Sequence, residues 1–510
     1  MKENLRDFLN RDVKEFNLAA LIIPSIIFLT LVGIITYKVN DSYAFFTDDI
    51  QGNQTIKLHY KGQESKSTQK KNSANEPVLL ENMIPVYYDE DAGVWKKADE
   101  SNINEAFKWY DYDNKMWANS VTVSSDKRNT YLEADPGQVI AMDDILTMQV
   151  WIPRYKYKVW NYNEAGNSVS NPQAIEITFE KSSNTTGDIM CSDSISGTDG
   201  KASQVCKYDK TICTDELCNG KTYTHPAFTF GEQELKGIWV GKFELTGSIS
   251  DITVKPDLKS IVNQQGGAFD DAVRGMKNDG NKYGFSLNAD THVIKNMEWA
   301  AIAYLAHSNY GLCTNGKCTE MYINNSSEYY TGRAGSSADD TDTSSAGAYK
   351  YNSIGKGTNA STTNNIYGVY DMSGGAREYV MGNVVGSDGD TMLSGTATDD
   401  NSGFIGNIGT TSYPGVYKYP EDKYFDKYSY GTSNNQRLRS KIGDAIKEVY
   451  NSDNNGWYKD SSILAHSNSP WLYRGGSYND GANAGLFSSN EGSGNARSYD
   501  STRLVISVIE

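Results

Sequence analysis

The sequence predicts an α+β fold that is rich in loops and built mainly from short strands. Thirty-five tyrosines and forty-six glycines stand beside only eleven prolines in 510 residues, a composition typical of many short strands joined by tight turns. Apolar runs of strand length lie at 150–152 and 504–509, and residues 296–309 carry an apolar stripe with helical spacing. A chain of this length can bury a substantial core and predicts two or three units.

The N-terminal residues predict a membrane anchor followed by a stalk. Residues 18–37 carry no charge, and as a helix they would cross a hydrocarbon layer of about 30 Å. Basic residues are concentrated in residues 1–17, which places that segment in the cytoplasm and the bulk of the chain outside the cell. A cleaved signal peptide is the alternative, but no A-x-A pattern follows the apolar run. The polar stretch within 38–78 predicts a flexible stalk.

Two folded parts are expected after the stalk. Residues 79–140 contain strand-like runs and predict a small β module whose core is filled by Trp95, Trp109 and Trp117; a sugar-binding platform is the alternative role for these rings. The main domain is predicted to span 141–510. Its apolar pattern also predicts a helix at 441–450.

The cysteines predict disulfides and an oxidising compartment. All six lie beyond the predicted membrane span, and their spacing allows Cys313 to pair with Cys318, Cys213 with Cys218, and Cys191 with Cys206, among fifteen possible pairings. The first four cysteines in chain order lie in a polar, Cys-rich segment that predicts an insertion at 182–224. A zinc site built on Cys213 and Cys218 is the alternative, but the C-x2-C spacing of zinc ribbons is missing.

Charge and motif content narrow the function classes. The formal charge of −16 and the lack of a basic stripe argue against nucleic acid as a partner. The sequence has no G-x-S-x-G, H-E-x-x-H or Walker motif. Paired carboxylates for acid/base hydrolysis cannot be assigned from sequence. A binding role therefore has to be weighed beside an enzymatic one.

The C-terminal residues predict a displayed loop. An apolar strand at 471–473 enters the turn Arg474-Gly475-Gly476, and a second apolar strand at 504–509 closes the chain. About twenty-five residues of Gly, Asn, Ser, Tyr and Asp lie between them. These residue types are favoured in recognition surfaces, because they combine rigid contact area with adaptable hydrogen bonding. A solvated surface loop is the alternative.

Three segments in a fixed order carry a family resemblance. NIYGVYDMSGGAREYV at 365–380, RGGSYND at 474–480 and an Arg with an apolar strand at 503–506 resemble the formylglycine-generating enzyme (sulfatase-modifying factor) family. The helix NMEWAAIAYLAHSNYG is similar to a helix upstream in that family. The resemblance covers roughly 142–510 and implies a C-type-lectin-like fold with little regular secondary structure.

The same resemblance implies that the family's oxidase chemistry is missing. Members that oxidise a cysteine to formylglycine bind copper through two cysteines near the C-terminus, but residues 474–510 contain none. The iron-dependent relatives use an H-x3-H-x-E set, and the five histidines of this chain never have that spacing. No copper or iron site is therefore expected.

A structural calcium ion is the one family cofactor that the resemblance still implies. Its ligands would be Asp371, Glu378 and the carbonyl groups of Gly374 and Ala376, since oxygen-only ligands around a tight turn suit this hard cation. The alternative is that Asp371 and Glu378 form local caps or salt bridges.

The closing segment is also similar to the variable proteins of diversity-generating retroelements, whose C-terminal segments read much like RGGSYNDGANAGLF. In those proteins the varied residues line a binding face. By this resemblance the contact residues would be Tyr478, Asn479, Asn483, Phe487, Ser489, Asn490, Glu491, Asn495, Arg497, Tyr499 and Asp500. Core packing is the alternative role for Phe487.

The leading hypothesis is a single-pass, membrane-anchored bacterial surface protein that binds an extracellular protein or glycan through these C-terminal residues. The first alternative is an active oxidase of protein cysteines with relocated metal ligands. The second is a structural surface or appendage subunit.

Overall fold

Short strands account for most of the regular structure in the computed structural model of this protein. It describes residues 74–193, 204–286, 288–335, 337–338, 348–386, 389, 392–393, 402–404, 417, 419–432, 436–451 and 454–509. In chain order the described strands are β1 (Ile84–Asp89), β2 (Val94–Lys97), β3 (Asn119–Val123), β4 (Ile145–Pro153), β5 (Tyr155–Lys158), β6 (Ile177–Phe179), β7 (Ile189–Asp193), β8 (Gln204–Tyr208), β9 (Thr211–Ile212), β10 (Thr222–Thr224), β11 (Thr229–Phe230), β12 (Gln233–Glu234), β13 (Gly237–Gly241), β14 (Thr246–Ser248), β15 (Asp251–Thr253), β16 (Ala289–Val293), β17 (Cys313–Thr314), β18 (Lys317–Cys318), β19 (Arg377–Val384), β20 (Asp426–Tyr428), β21 (Trp471–Gly475), β22 (Gly485–Gly492), β23 (Asp500–Ser501) and β24 (Leu504–Val508). The described α-helices are α1 (Ser125–Glu133), α2 (Asp215–Cys218), α3 (Gly266–Gly275), α4 (Gly280–Tyr283), α5 (Asn296–Ala306) and α6 (Gln436–Arg439).

A seven-stranded antiparallel sheet organises the body, in the order β16-β24-β13-β4-β3-β1-β2. Its inner strands are rich in Val, Ile and Trp and are buried along their length, as expected for strands covered on both faces. Trp239 of β13 lies opposite Trp151 of β4 in the register, and their ring centroids are 5.2 Å apart. Gly237 fits here because any Cβ at this position would collide with the Trp151 indole.

The predicted separation of a small β module at 79–140 from the main domain is wrong. β1, β2 and β3 continue the same sheet that contains β4, β13 and β24. Trp109, which sits in that segment, stacks on Trp239 with ring centroids 6.3 Å apart. The core role of Trp95, Trp109 and Trp117 is confirmed, because all three are almost fully buried.

The C-terminal residues form a second sheet in the order β20-β19-β21-β22, with β23 beside β19. The predicted twenty-five-residue loop is therefore wrong, since eight of its residues form β22. Ser, Asn and Gly have weak strand propensity, but β21 pairs with β22 from Trp471 opposite Gly492 to Arg474 opposite Ser489, and again at Gly475 opposite Gly485 after a shift in register.

The Cys-rich insertion joins a third sheet, in the order β6-β5-β10-β7-β8-β9. All three disulfides expected from spacing are confirmed, and in the described residues no cysteine is free. Disulfides persist in oxidising compartments, so they give the protein an extracellular or secreted character.

Helix α5 confirms the predicted start at Asn296 but ends at Ala306. Every residue in it is buried, so it lacks the single apolar stripe that the sequence predicted. Its polar groups find partners inside the protein. The Trp299 indole donates to the carbonyl of Leu486 at 2.9 Å, and the Tyr155 hydroxyl donates to the carbonyl of Ala301 at 2.7 Å.

The predicted helix at 441–450 is wrong, although its apolar residues are buried. The Asp444 carboxylate accepts hydrogen bonds from the backbone N–H groups of Lys441, Ile446 and Lys447. Side-chain oxygens that capture backbone donors compete with helical hydrogen bonding. Ala445 accordingly has a φ of 54°, outside the helical region.

These elements correct the predicted fold class. An α+β fold with a lectin-like domain and an N-terminal membrane helix was predicted, but the described residues form mainly sheet. Strands dominate the described residues, and the longest helix among them has 11 residues. In that part of the chain no helix combines the length and apolar character needed to cross a bilayer. The predicted cytoplasmic segment at 1–17, the span at 18–37 and the stalk up to residue 73 lie outside the described residues. The end of the predicted stalk is packed, since the Asn75 amide donates to the carbonyls of Ser182 and Lys236.

Candidate functional site

The eleven predicted contact residues divide by burial. Asn479 and Asn483 are exposed. Six are half-buried: Tyr478, Asn490, Glu491, Asn495, Arg497 and Tyr499. The prediction is wrong for Phe487, Ser489 and Asp500, which are at most 1% exposed and cannot meet a ligand in this conformation.

Each of the three buried residues has a neighbour that explains its place. Phe487 packs edge-on against Trp457 with ring centroids 5.2 Å apart, which confirms the core alternative. Ser489 is covered by residues 461–463, whose backbone exchanges hydrogen bonds with it. Asp500 accepts two hydrogen bonds from the Arg377 guanidinium at 3.0 and 2.9 Å.

A polar cavity lies beside β22, and we call it the asparagine pocket. Its volume is about 300 Å³. Side chains that can both donate and accept hydrogen bonds form most of its wall, and Ile463 supplies an apolar part. The lining residues are Asn454, Asn455, Ser461, Ile463, Gly476, Asp480, Asn483, Ser488 and Asn490. Asn483 and Asn490 are predicted contact residues, so the structure brings two of them into one cavity.

The turn that carries Asp480 and Asn483 is held by one local hydrogen bond and one from a distant segment. The Asp480 carboxylate accepts from the Ser477 N–H at 2.7 Å, and the Asn483 carbonyl accepts from the Ser461 N–H at 2.9 Å. Gly476 has a φ of 69° and lies against the backbone of Ala484, a conformation and contact that favour glycine. These constraints fix one wall of the asparagine pocket before a ligand arrives.

Three predicted contact residues, Tyr478, Arg497 and Tyr499, lie near Tyr329 and Arg377, and we call this group the tyrosine–arginine patch. It consists of Tyr329, Arg377, Tyr478, Arg497 and Tyr499. The Arg377 guanidinium lies 4.7 Å from the Tyr499 ring centroid, and the Arg497 guanidinium donates to the Tyr499 hydroxyl at 2.9 Å. Tyr329 packs edge-on against Tyr478 at 5.4 Å between centroids.

Glu491 is half-buried, and its carboxylate contacts the ring of His466. His466 Nε2 lies 3.2 Å from Glu491 Oε1, and His466 Nδ1 accepts from the Asn468 N–H. Burial raises the pKa of Glu491, while His466 lowers it. The prediction of Glu491 as a ligand contact remains untested by this arrangement.

The residues predicted to hold calcium lie in a buried group of carboxylates. Both oxygens of Glu378 contact the Arg503 guanidinium, with Arg503 Nε 3.0 Å from Oε2. The Asp371 Oδ1 atom accepts from Asn324 Nδ2 at 2.9 Å and from the Gly332 N–H at 2.7 Å. A third carboxylate, Glu244, interacts electrostatically with both.

The Arg503–Glu378 ion pair disfavours calcium at Glu378, one of the four implied ligands. A guanidinium already occupies both oxygens of Glu378, and its positive charge opposes a second cation at the same carboxylate. The salt-bridge alternative is confirmed for Glu378. Burial raises the pKa of Asp371 to about 6 and that of Glu378 to about 7, because the low-dielectric interior disfavours their charged forms more than Arg503 favours them.

The sequence missed part of the asparagine pocket. Asn454, Asn455 and Ser461 line it, although they lie more than twenty residues before β22 in the chain. The local signal at this place is the turn-forming stretch Asn454-Asn455-Gly456, which predicts a loop but does not predict that the loop lies beside β22. Arg377 lies inside the family-like stretch at 365–380, and the sequence did not predict it as a surface residue.

No model of a known protein family matches this chain, and no curated protein has significant sequence similarity to it.

Proposed function

We propose that this extracellular protein binds a glycan through the asparagine pocket. The single observation that carries the proposal is the lining of that pocket, where amide, carboxylate and hydroxyl groups surround a cavity of about 300 Å³. Sugar hydroxyl groups both donate and accept hydrogen bonds. Asparagine side chains match them because the amide offers donors and an acceptor within one planar group.

The shape of the pocket supports a small rigid ligand unit. Ligand sites are concave and combine apolar wall with a few placed polar groups. Ile463 provides apolar contact for the C–H face of a sugar ring, whereas Asp480 and Asn483 sit on a hydrogen-bonded turn. A pre-formed wall lowers the ordering cost of binding.

The resemblance to formylglycine-generating enzymes and to retroelement variable proteins supports a binding site near the C-terminus of the chain. In the variable proteins, residues at positions similar to Asn483 and Asn490 line a binding face. The asparagine pocket uses those two positions and extends the site to 454–463.

A protein partner is the second candidate, favoured by the tyrosine–arginine patch. Tyr and Arg are enriched among residues that dominate protein–protein binding energy. Arg377, Tyr478, Arg497 and Tyr499 are all half-buried, so they offer rigid contact area at the surface. Substituting Tyr478, Arg497 and Tyr499 together would remove this binding mode without touching the asparagine pocket.

The remaining alternatives have less support. A cysteine-oxidising metal centre needs thiolates, and all six cysteines are paired as disulfides. Incubation with copper, oxygen and a Cys-x-Pro-x-Arg peptide, followed by mass spectrometry for the aldehyde, tests that alternative. A structural appendage subunit would assemble with itself and bind no soluble ligand.

The glycan proposal is tested by screening the fluorescently labelled full chain against a glycan array. We expect a defined set of bound glycans, with loss of signal for the double variant Asn483→Ala/Asn490→Ala. Asn281→Ala is the matched control, because Asn281 is an exposed asparagine in α4 that does not line the pocket. Unchanged glycan binding by the double variant would reject the pocket as the site.

A further inference from the structure

The short hairpin β17–β18 brings two sulfur atoms next to a histidine ring. Cys313 and Cys318 face each other in the register and form a disulfide. One ring nitrogen of His307 and the two sulfur atoms all lie within 4.8 Å of one another. Thiolate and imidazole groups at such distances are the ligands that Zn²⁺ prefers in proteins. Neither the asparagine pocket nor the tyrosine–arginine patch includes these residues.

We propose that reduction of the Cys313–Cys318 disulfide creates a Zn²⁺ site formed by Cys313, Cys318 and His307. A dithiol reductant supplies two electrons and two protons, the S–S bond opens to two thiols, and the reductant becomes a disulfide. Zn²⁺ then binds both sulfurs as thiolates and releases the two thiol protons. The three protein ligands leave a fourth position of the tetrahedron for water. The proposal is independent of glycan binding.

The hydrogen bonds of His307 prepare it as a ligand. Its Nδ1 lies 2.9 Å from the backbone carbonyl oxygen of Gln173. A carbonyl oxygen can only accept, so Nδ1 carries the proton and Nε2 has the free electron pair. Metal-bound histidines commonly donate their second ring N–H to a carbonyl in this way. The Tyr458 hydroxyl, 2.9 Å from Nε2, is the group that the ion would displace.

The hairpin is accessible to a reductant, although Cys313 itself is buried. Residues 314–317 at its tip are exposed, and Cys318 is half-buried. His307 sits at the end of α5 and is buried against Trp457, with ring centroids 4.9 Å apart. The site would therefore combine a buried histidine with an exposed hairpin, and the two sulfurs can separate once the S–S bond between them is open.

The chain contains a matched control for this proposal. Cys213 and Cys218 form a disulfide with the same sequence separation of 5 residues. Within the described residues, no third His, Cys, Asp or Glu ligand joins that pair at the same distance. Reduction of Cys213–Cys218 and Cys313–Cys318 should therefore create one strong thiolate–imidazole site, at Cys313 and Cys318, and not two.

The test uses the full chain, a phosphine reductant and Co²⁺ as a spectroscopic substitute for Zn²⁺. We expect a thiolate-to-cobalt charge-transfer band of one Co²⁺ per chain after reduction, no such band before it, and displacement of the cobalt by Zn²⁺. The band should persist in Cys213→Ser/Cys218→Ser and disappear in Cys313→Ser/Cys318→Ser. His307→Gln should weaken Co²⁺ binding at least tenfold, while Tyr458→Phe, which removes only the competing hydroxyl, should retain or strengthen it.

Three outcomes would overturn the proposal. The first is no release of Cys313 and Cys318 thiols by the reductant in the folded protein, measured by thiol titration of a variant in which Cys191, Cys206, Cys213 and Cys218 are all replaced by Ser, so that Cys313–Cys318 is the one disulfide left. The second is no cobalt–thiolate band in the reduced wild-type chain. The third is an equal band in Cys313→Ser/Cys318→Ser, which would place the metal elsewhere. Since the Tyr458→Phe variant leaves the core side chains in place, it keeps the test decisive if His307→Gln fails to fold.

Discussion

Arg503 forms an ion pair with Glu378 in the interior, with Arg503 Nε 3.0 Å from Glu378 Oε2 and neither side chain exposed. Glu378 belongs to β19, and Arg503 directly precedes β24, so the pair connects the C-terminal sheet with the seven-stranded sheet. The guanidinium also donates to the carbonyls of Gly241 and Tyr370, both at 2.8 Å. Arg503 thus pairs with one of the two carboxylates that the family resemblance implies as calcium ligands.

The first prediction concerns loss of this cation. Arg503→Met should destabilise the protein by about 3–5 kcal/mol, because it leaves Glu378 buried without its partner and beside Asp371 and Glu244. Urea unfolding followed by tryptophan fluorescence measures the change. Lys259→Ala is the control, since the Lys259–Glu328 pair is exposed and its loss should have no measurable effect. Equal stability of Arg503→Met and wild type would contradict the role given to this pair.

The second prediction is that stability falls as the pH rises through neutrality. Burial raises the pKa of Glu378 and Glu448 to about 7 and the pKa of Asp371 and Asp426 to about 6. In the unfolded chain these groups titrate near about 4, so the folded state holds more protons between these values. Their contribution is complete below about pH 4 and is lost as the pH rises through about 6 to 7. The free energy of unfolding should therefore be larger near pH 5.5 than near pH 8.

Glu448→Gln tests the cause of that pH dependence. Glu448 accepts hydrogen bonds from the hydroxyls of Tyr157 and Tyr304, at 2.7 and 2.9 Å. Glutamine keeps an acceptor but does not titrate, so the variant should show a weaker dependence of unfolding free energy on pH. An unchanged dependence would mean that other groups are responsible.

Local patterns in the sequence predicted those features that depend on local spacing. The start of α5 at Asn296 and the pairing of each cysteine with a nearby partner were correct for that reason. The 441–450 segment was misread because its apolar spacing is helical. There the buried carboxylates of Asp444 and Glu448 bind backbone N–H groups that a helix would use. Charge burial of this kind depends on tertiary contacts and leaves no periodic signal.

The binding face was only partly predictable for a related reason. Strand β22 has a composition typical of a loop, and pairing with β21 converts it into a strand that is irregular between Gly485 and Ser489. Phe487 lies in this irregular part and is buried, whereas Asn490 lies in the regularly paired part and lines the asparagine pocket. Asn454 and Ser461 complete the pocket from a distant segment, and no pattern in the sequence relates them to β22.

The third prediction separates packing from recognition on this strand. Phe487→Ala should destabilise the protein by about 3–5 kcal/mol, because Phe487 is buried between Trp457 and His307. Tyr478→Ala, at a half-buried position, should cost far less stability. Thermal unfolding of both variants gives the comparison. A larger loss for Tyr478→Ala than for Phe487→Ala would contradict the burial described here.

The fourth prediction concerns the energetics of the asparagine pocket. Asn483→Ala and Asn490→Ala should each weaken binding of the best array glycan by about tenfold, corresponding to about 1.4 kcal/mol, because each removes an amide that can both donate to and accept from a hydroxyl. Neither change should alter thermal stability much, since Asn483 is exposed and Asn490 is half-buried. Titration calorimetry with wild type, both variants and the Asn281→Ala control measures the affinities. If the substitution of Tyr478, Arg497 and Tyr499 weakened glycan binding more than either asparagine change, the tyrosine–arginine patch would be the glycan site and the asparagine pocket would not.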